Sequence, residues 1–253
     1  MRDIMPLDLL WLLPLFLLAA MLYSSVGHGG ASAYLAILVL AGYARPEIAP
    51  TVLILNILVT VTGFTNYYRA GHFTPRLLWP FILASIPAAY LGGLVLLSQQ
   101  TFSGILGGTL LIAGLRFILF TKPILPRPPV KPAWIYGIGL PVGLALGFLA
   151  GLIGIGGGIF LSPLLLLMGW ADAKQTAAVS AAFIILNSLS GLAAHVLHGA
   201  IEPGLAVPLG LTVLIGGQIG SWWGAWKVPS KVLQQVLGVV LLIASLKMIR
   251  DLF

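Results

Sequence analysis

Two glycine-rich runs carry the chemistry open to this chain: Ser24-Ser-Val-Gly-His-Gly-Gly-Ala-Ser32 and Gly151-Leu-Ile-Gly-Ile-Gly-Gly-Gly-Ile159. Each stands between two apolar segments and opens a short helix. Free backbone N–H groups and the positive end of a helix dipole then point inward, and together they hold an anion without a buried lysine or arginine. Glycine allows both the sharp turn and the close approach of a ligand to the backbone. The expected contacts are Ser25, His28, Gly29 and Gly30 from the first run, and Gly156, Gly157 and Gly158 from the second. Glycines also serve plain helix packing. Two runs at matched positions of a repeat, each starting a helix too short to span a membrane, favour binding. Nucleotide readings fail, because the second run lacks the Lys and Ser/Thr of a P-loop and neither run follows a strand.

Polar residues inside apolar segments come next. Asn56 and Asn187 each sit in the middle of a long apolar stretch, where an unpaired amide is costly, so each must face protein or a hydrated cavity. Substrate contact and helix-to-helix bonding remain equally open for both. Thr60, Ser180 and Ser188 are weaker candidates, since hydroxyls often bond their own helix. The acidic residues Asp3, Asp8, Glu47, Asp172, Glu202 and Asp251 all fall at segment ends, so none can relay protons or hold sodium at depth. His28 is the titratable side chain expected near the midplane, and Ile155 stands at its counterpart position. His195, His198 and Glu202 have a spacing that could bind a metal on one helix face, but a helix end, where polar residues need no special reason, is the favoured account. Neither a metal nor a cofactor is expected, and nothing pairs a nucleophile with a base as an enzyme would require.

These residues are set in a chain of 253 residues that is 59% hydrophobic and 8% charged. Its mean hydropathy is +1.07, so lipid is its solvent and helices are the spanning elements. The formal net charge of +7 does not imply nucleic acid, because the 13 Lys and Arg residues lie at the ends of apolar runs, as topology signals and headgroup anchors. Trp222, Trp223 and Trp226 read as interface anchors too. The absence of cysteine excludes disulfides and thiolate metal sites. A signal peptide at the N-terminus is disfavoured, since the same kind of segment recurs deep in the chain.

Apolar runs fall at about residues 7 to 26, 30 to 42, 46 to 70, 74 to 98 and 101 to 120, and again at about 132 to 153, 156 to 170, 173 to 198, 203 to 226 and 230 to 252. Between the series lies a proline-rich basic linker, residues 121–132, which the positive-inside rule puts in the cytoplasm. The fold class is thus all-α integral membrane protein, with homologous five-segment halves at 1–120 and 133–253. Gly27 to Ala31 matches Gly154 to Gly158, and Ile105 to Ile118 matches Val236 to Ile249. The second segment of each half rises only about 20 to 23 Å against a hydrocarbon core of roughly 30 Å. A re-entrant or broken helix follows, with an odd number of crossings per half, and hence inverted repeats. Charge counting does not choose the orientation: the inverted arrangement leaves Arg2, Arg45, Lys247 and Arg250 outside, and the parallel one Arg45, Lys174, Lys227 and Lys231.

Paired Gly-x-Gly-Gly turns, each followed by a short helix, an aromatic residue and an asparagine-bearing helix, resemble the TauE/SafE sulfite exporter family of membrane permeases. The resemblance covers essentially the whole chain, and the Gly27 to Gly30 and Gly154 to Gly158 runs carry it most clearly. His28 and Ala31 depart from a full glycine-rich run. The resemblance implies a multi-pass protein of the bacterial inner membrane that moves sulfite, sulfoacetate or related sulfonates. It implies a small anionic substrate and the bilayer as partners, and is compatible with a homodimer. Alternating access, linked to protons, is the expected mechanism. An anion channel built on the same helix ends is the alternative.

Overall fold

The computed structural model describes residues 6–43, 48–119 and 132–227, and positions 239, 242, 243, 245, 246, 249 and 250. The linker and most of the tenth segment lie outside the described residues, as do Asp3, Arg45, Glu47 and Asp251. Among the described residues the secondary structure is helical, without strands. The first half contributes α1 (Pro6–Ser24), α2 (Ala31–Leu40), α3 (Ala49–Arg69), α4 (Pro75–Gly93) and α5 (Gln99–Leu119). The second contributes α6 (Pro132–Ile153), α7 (Gly158–Met168), α8 (Ala173–His195) and α9 (Pro203–Trp226).

Helix boundaries follow local chemistry. Prolines open α3, α4 and α9, where the missing N–H costs nothing. Asp172 starts α8 by accepting from the N–H groups of Lys174 and Gln175, both at 2.8 Å, while Gln175 Oε1 accepts from Asp172 N, which completes a capping box. Four helices are long and apolar enough to cross a membrane, namely α3, α8, α9 and the stretch Trp134–Ile153 of α6. By contrast α2 and α7, at 10 and 11 residues, rise only about 15 to 17 Å. The first is enclosed by the rest of the bundle, with every α2 residue from Ala31 to Val39 buried, whereas Phe160, Pro163, Leu164 and Leu166 of α7 are only partly buried.

The halves exchange partners reciprocally. The fourth helix of the first half, α4, packs most extensively on α6, the first helix of the second half, and α1 packs in turn on α9. Between these pairs α3 and α8 cross at the centre. Gly139, Gly143, Gly147 and Gly151 form one edge of α6, and a Cβ added at the last three would strike the backbone carbonyls of Phe81, Ser85 and Ala89 on α4. Gly216, Gly220 and Gly224 do the same on α9 against the carbonyls of Leu17, Met21 and Ser25. Backbones meet directly along both seams, as small residues permit where lipid removes the hydrophobic drive for association. Gly151, read from sequence as part of the second turn, is thereby a packing residue of α6.

Large apolar side chains such as Leu18, Leu83, Leu144, Leu211 and Ile215 face outward, which suits a surface solvated by acyl chains. Trp222, Trp223 and Trp226 are exposed at the end of α9, and Lys227 Nζ lies 5.2 Å from the Trp222 ring centroid. That grouping is the expected one for an interfacial anchor. Across the centre, Glu202 N donates to Thr51 Oγ1 at 2.9 Å, joining the start of α9 to the start of α3.

Candidate functional site

Both predicted turns form, and both break the helix by the same device. Gly27 (φ 75°) ends the first hairpin helix and Gly154 (φ 79°) the second, and Gly156 and Gly157 also adopt left-handed conformations that L-residues avoid. The turns cross-pack between halves. A Cβ on Gly27 would collide with Ala177 at the start of α8, and one on Gly154 would lie 3.0 Å from the Cβ of Ala49 at the start of α3. The first turn is therefore seated on the second half, and the second turn on the first.

The two turns meet at Asn56. A Cβ built on Gly29 would lie 2.8 Å from Asn56 Cγ and 2.7 Å from Thr60 Oγ1, and one built on Gly156 would lie 2.7 Å from Asn56 Nδ2 and 2.6 Å from Ser188 Oγ. Asn56 is fully buried on α3, and its amide is used at both ends. Oδ1 accepts the Ala31 N–H at 3.0 Å, and Nδ2 donates to Ser188 Oγ at 2.9 Å. Its backbone carbonyl accepts the Thr60 hydroxyl. One amide thus ties the N-terminus of α2, the middle of α3 and the middle of α8 together across the two halves.

Asn187, at the matched position of α8, behaves differently. Its Nδ2 donates to Phe183 O at 2.9 Å, whereas its buried Oδ1 has no hydrogen-bond partner. No side chain caps α7: Gly157 precedes it, and a Cβ there would lie 2.9 Å from Ala150 Cβ and 3.1 Å from Phe183 Cε1. Gly158 faces Ile184. Gly157 and Gly158 thus face apolar groups, while Ser162 of the same helix donates to Ser180 Oγ at 2.7 Å; the first N-terminus is lined by an amide and hydroxyls.

The remaining expected residues take distinct places. Ser25 turns its hydroxyl back to Leu22 O at 2.7 Å, while its carbonyl accepts from Tyr67 Oη at 2.7 Å. His28 is buried and meets the Tyr23 ring edge-on at 6.5 Å. Gly30 lies against the hydroxyl end of Tyr34. Tyr34 was not singled out by sequence, nor was Tyr23, whose hydroxyl accepts from Ser32 Oγ at 3.0 Å. The signal that finds Tyr34 is its position four residues after Gly30, since helical side chains lean toward the N-terminus. Every polar side chain buried around the turns is neutral or a histidine; no Lys, Arg, Asp or Glu is buried among the described residues.

The two histidines at the end of α8 lie apart from this centre. His195 Nε2 is 2.6 Å from Gly151 O, which fastens α8 to α6, and the rings of His195 and His198 are 5.5 Å apart. Both line a small pocket of about 60 Å³ with Val95, Leu96, Leu97, Phe102 and Leu152. Among the described residues no group of three or more His, Asp or Glu converges on a metal position.

The arrangement offers hydrogen-bond donors and two helix ends in a neutral, enclosed setting, which suits a small oxyanion. Comparison with known proteins agrees with a transport role. A family model described as Sulfite exporter TauE/SafE matches residues 12–248. A protein of Sinorhizobium fredii named "Probable membrane transporter protein y4hK" is 31% identical over 243 residues, covering 92% of this chain and 95% of that protein. A Bacillus subtilis protein named "Probable membrane transporter protein YunE" is 25% identical over 191 residues, 68% of each chain. No solved structure matches. With a family match from the middle of α1 almost to the C-terminus, and a relative alike over nearly its whole length, the chain belongs to the TauE/SafE sulfite exporter family of multi-pass membrane transporters.

Proposed function

We propose that the protein is a secondary carrier that moves small sulfur-containing anions, such as sulfite, sulfoacetate or related sulfonates, by alternating access. The observation that carries this reading is the meeting of both glycine turns at Asn56, with the N-termini of α2 and α7 behind them. The N-terminus of a helix favours negative charge, and a site without a buried cation holds an anion loosely enough to release it. His28, or the anion itself, carries the proton in a coupled cycle.

The halves are taken to be inverted, as the odd number of crossings per half implies, and one then rocks against the other. Three contacts support this orientation. Glu202 N bonds Thr51 Oγ1. The α4–α5 turn and the end of α8 line one pocket. Tyr67, near the end of α3, packs with Ala177 at the start of α8 and Ala225 at the end of α9. Parallel halves would put the members of each pair at opposite membrane faces; inverted halves put them at the same face.

Reconstitution in liposomes tests the reading. Uptake of labelled sulfite, sulfoacetate and sulfate is followed with and without a pH gradient. Saturable uptake of one sulfur anion that accelerates with the gradient is expected. Flux that rises linearly with concentration and shows no counter-flow would replace the carrier by a channel.

A further inference from the structure

Tyr34 has a buried hydroxyl that nothing in the fold uses. The side chain is fully buried, its Oη has no hydrogen-bond partner, and its ring is held against Phe16 with centroids 4.8 Å apart and planes 11° from parallel. A ring fixed by stacking cannot swing its hydroxyl to another partner, and a buried hydroxyl left unpaired is costly. The hydroxyl end lies against Gly30, the residue that precedes α2, on a helix of 10 residues whose first N–H, that of Ala31, points to Asn56 Oδ1. An unused donor and a helix N-terminus therefore share one spot.

We propose that Tyr34 is a substrate-binding residue, whose hydroxyl donates to an oxygen of the transported anion at the N-terminus of α2. This rests on the carrier reading above and deepens it. The ionised oxygens of the anion are acceptors, so the phenol O–H donates to one of them and no proton is transferred. When the anion arrives it supplies the partner Tyr34 lacks. The matching position of the second half is Leu161, also fully buried, which offers no donor. The site is consequently asymmetric: the first half adds the Tyr34 hydroxyl, whereas in the second Gly156 lies beside Asn56 Nδ2 and Ser188 Oγ while Gly157 and Gly158 face the apolar Phe183 and Ile184. A ligand with an anionic head and a small carbon group, a short alkylsulfonate, fits such a site at least as well as sulfite.

The test is Tyr34→Phe, which keeps the ring and its stacking and removes only the oxygen. Wild type and Y34F are reconstituted, and half-saturating concentrations for sulfite and for methanesulfonate are measured. Thermal unfolding in detergent is recorded with and without each anion. The expected result is a rise in half-saturation of about tenfold or more for both anions, as for loss of a hydrogen bond to a charged group. Stabilisation by added anion should shrink, while the ligand-free unfolding temperature stays level or rises, because the lost hydroxyl had no partner. A purely structural tyrosine would give the reverse pattern, with lower ligand-free stability and unchanged half-saturation. Saturable wild-type flux with an unchanged Y34F overturns the assignment of Tyr34 alone. A wild type showing neither saturable flux nor stabilisation by either anion overturns the carrier reading and this inference with it.

Discussion

Asn56 is the residue on which the two turns depend, and its substitutions separate structure from transport. Asn56→Ala removes the acceptor for Ala31 N and the donor to Ser188, leaving buried polar groups unpaired, so a loss of about 1–3 kcal/mol in stability is expected. Thermal unfolding in detergent measures it. Asn56→Asp keeps the acceptor at Ala31 but loses the donor to Ser188 and, when ionised, repels the anion, so flux should fall and should fall further as pH rises; flux equal to wild type at high pH would remove the anion from this spot. Gly29→Ala adds a methyl group that overlaps the Asn56 amide without demanding a left-handed backbone, so it should displace that amide, and both slower transport and a lower unfolding temperature are expected. Sequence pointed to Asn56, Gly29 and Gly156 because an amide in hydrocarbon and a glycine run before a short helix each break a simple rule. It did not reveal which bonds Asn56 makes, since Ser188 belongs to another helix 132 residues away. It passed over Tyr34 because a tyrosine in an apolar helix breaks no rule at all.

At the scale of the element, the short helices α2 and α7 and the order of segments were legible from run length alone, because lipid forbids any shorter span. The seams were not. Four glycines spaced by four along α6 read equally as packing or as flexibility until the carbonyls of α4 are seen against them. Substitution at two of the glycines of α6 distinguishes these. Gly147→Leu should force α6 off α4 and cost at least the 1–3 kcal/mol of an overpacked core, read as lost folded yield and a lower unfolding temperature. Gly137→Leu, on the same helix but with open space around it, should be tolerated. Equal damage at both positions would show that α6 is sensitive to leucine anywhere, and the seam would lose its special place.

Across the whole molecule, orientation is the property that charge counting left open and contacts between halves address. The chain has no cysteine, so single substitutions report cleanly. Ser98→Cys and His198→Cys lie at the two turns that share one pocket, and Lys227→Cys at the opposite end of α9. An impermeant thiol reagent added to intact cells is expected to label positions 98 and 198 and to spare 227. Labelling of 98 and 198 from opposite sides would overturn the inverted arrangement. The two glycine seams carry a consequence for how the halves can be assembled. The two long glycine edges belong to the second half, one on its first helix and one on its fourth, and lie on backbone carbonyls of α1 and α4, while the first half sets Gly92 of α4 against Phe148 O of α6. Two second halves brought together would set glycine edge against glycine edge and leave a gap; two first halves would lack the long glycine edge that lets the backbones meet. Cut at the linker and expressed as separate pieces, the protein should therefore reassemble as one of each and never as like with like. The duplicated parts have become lock and key.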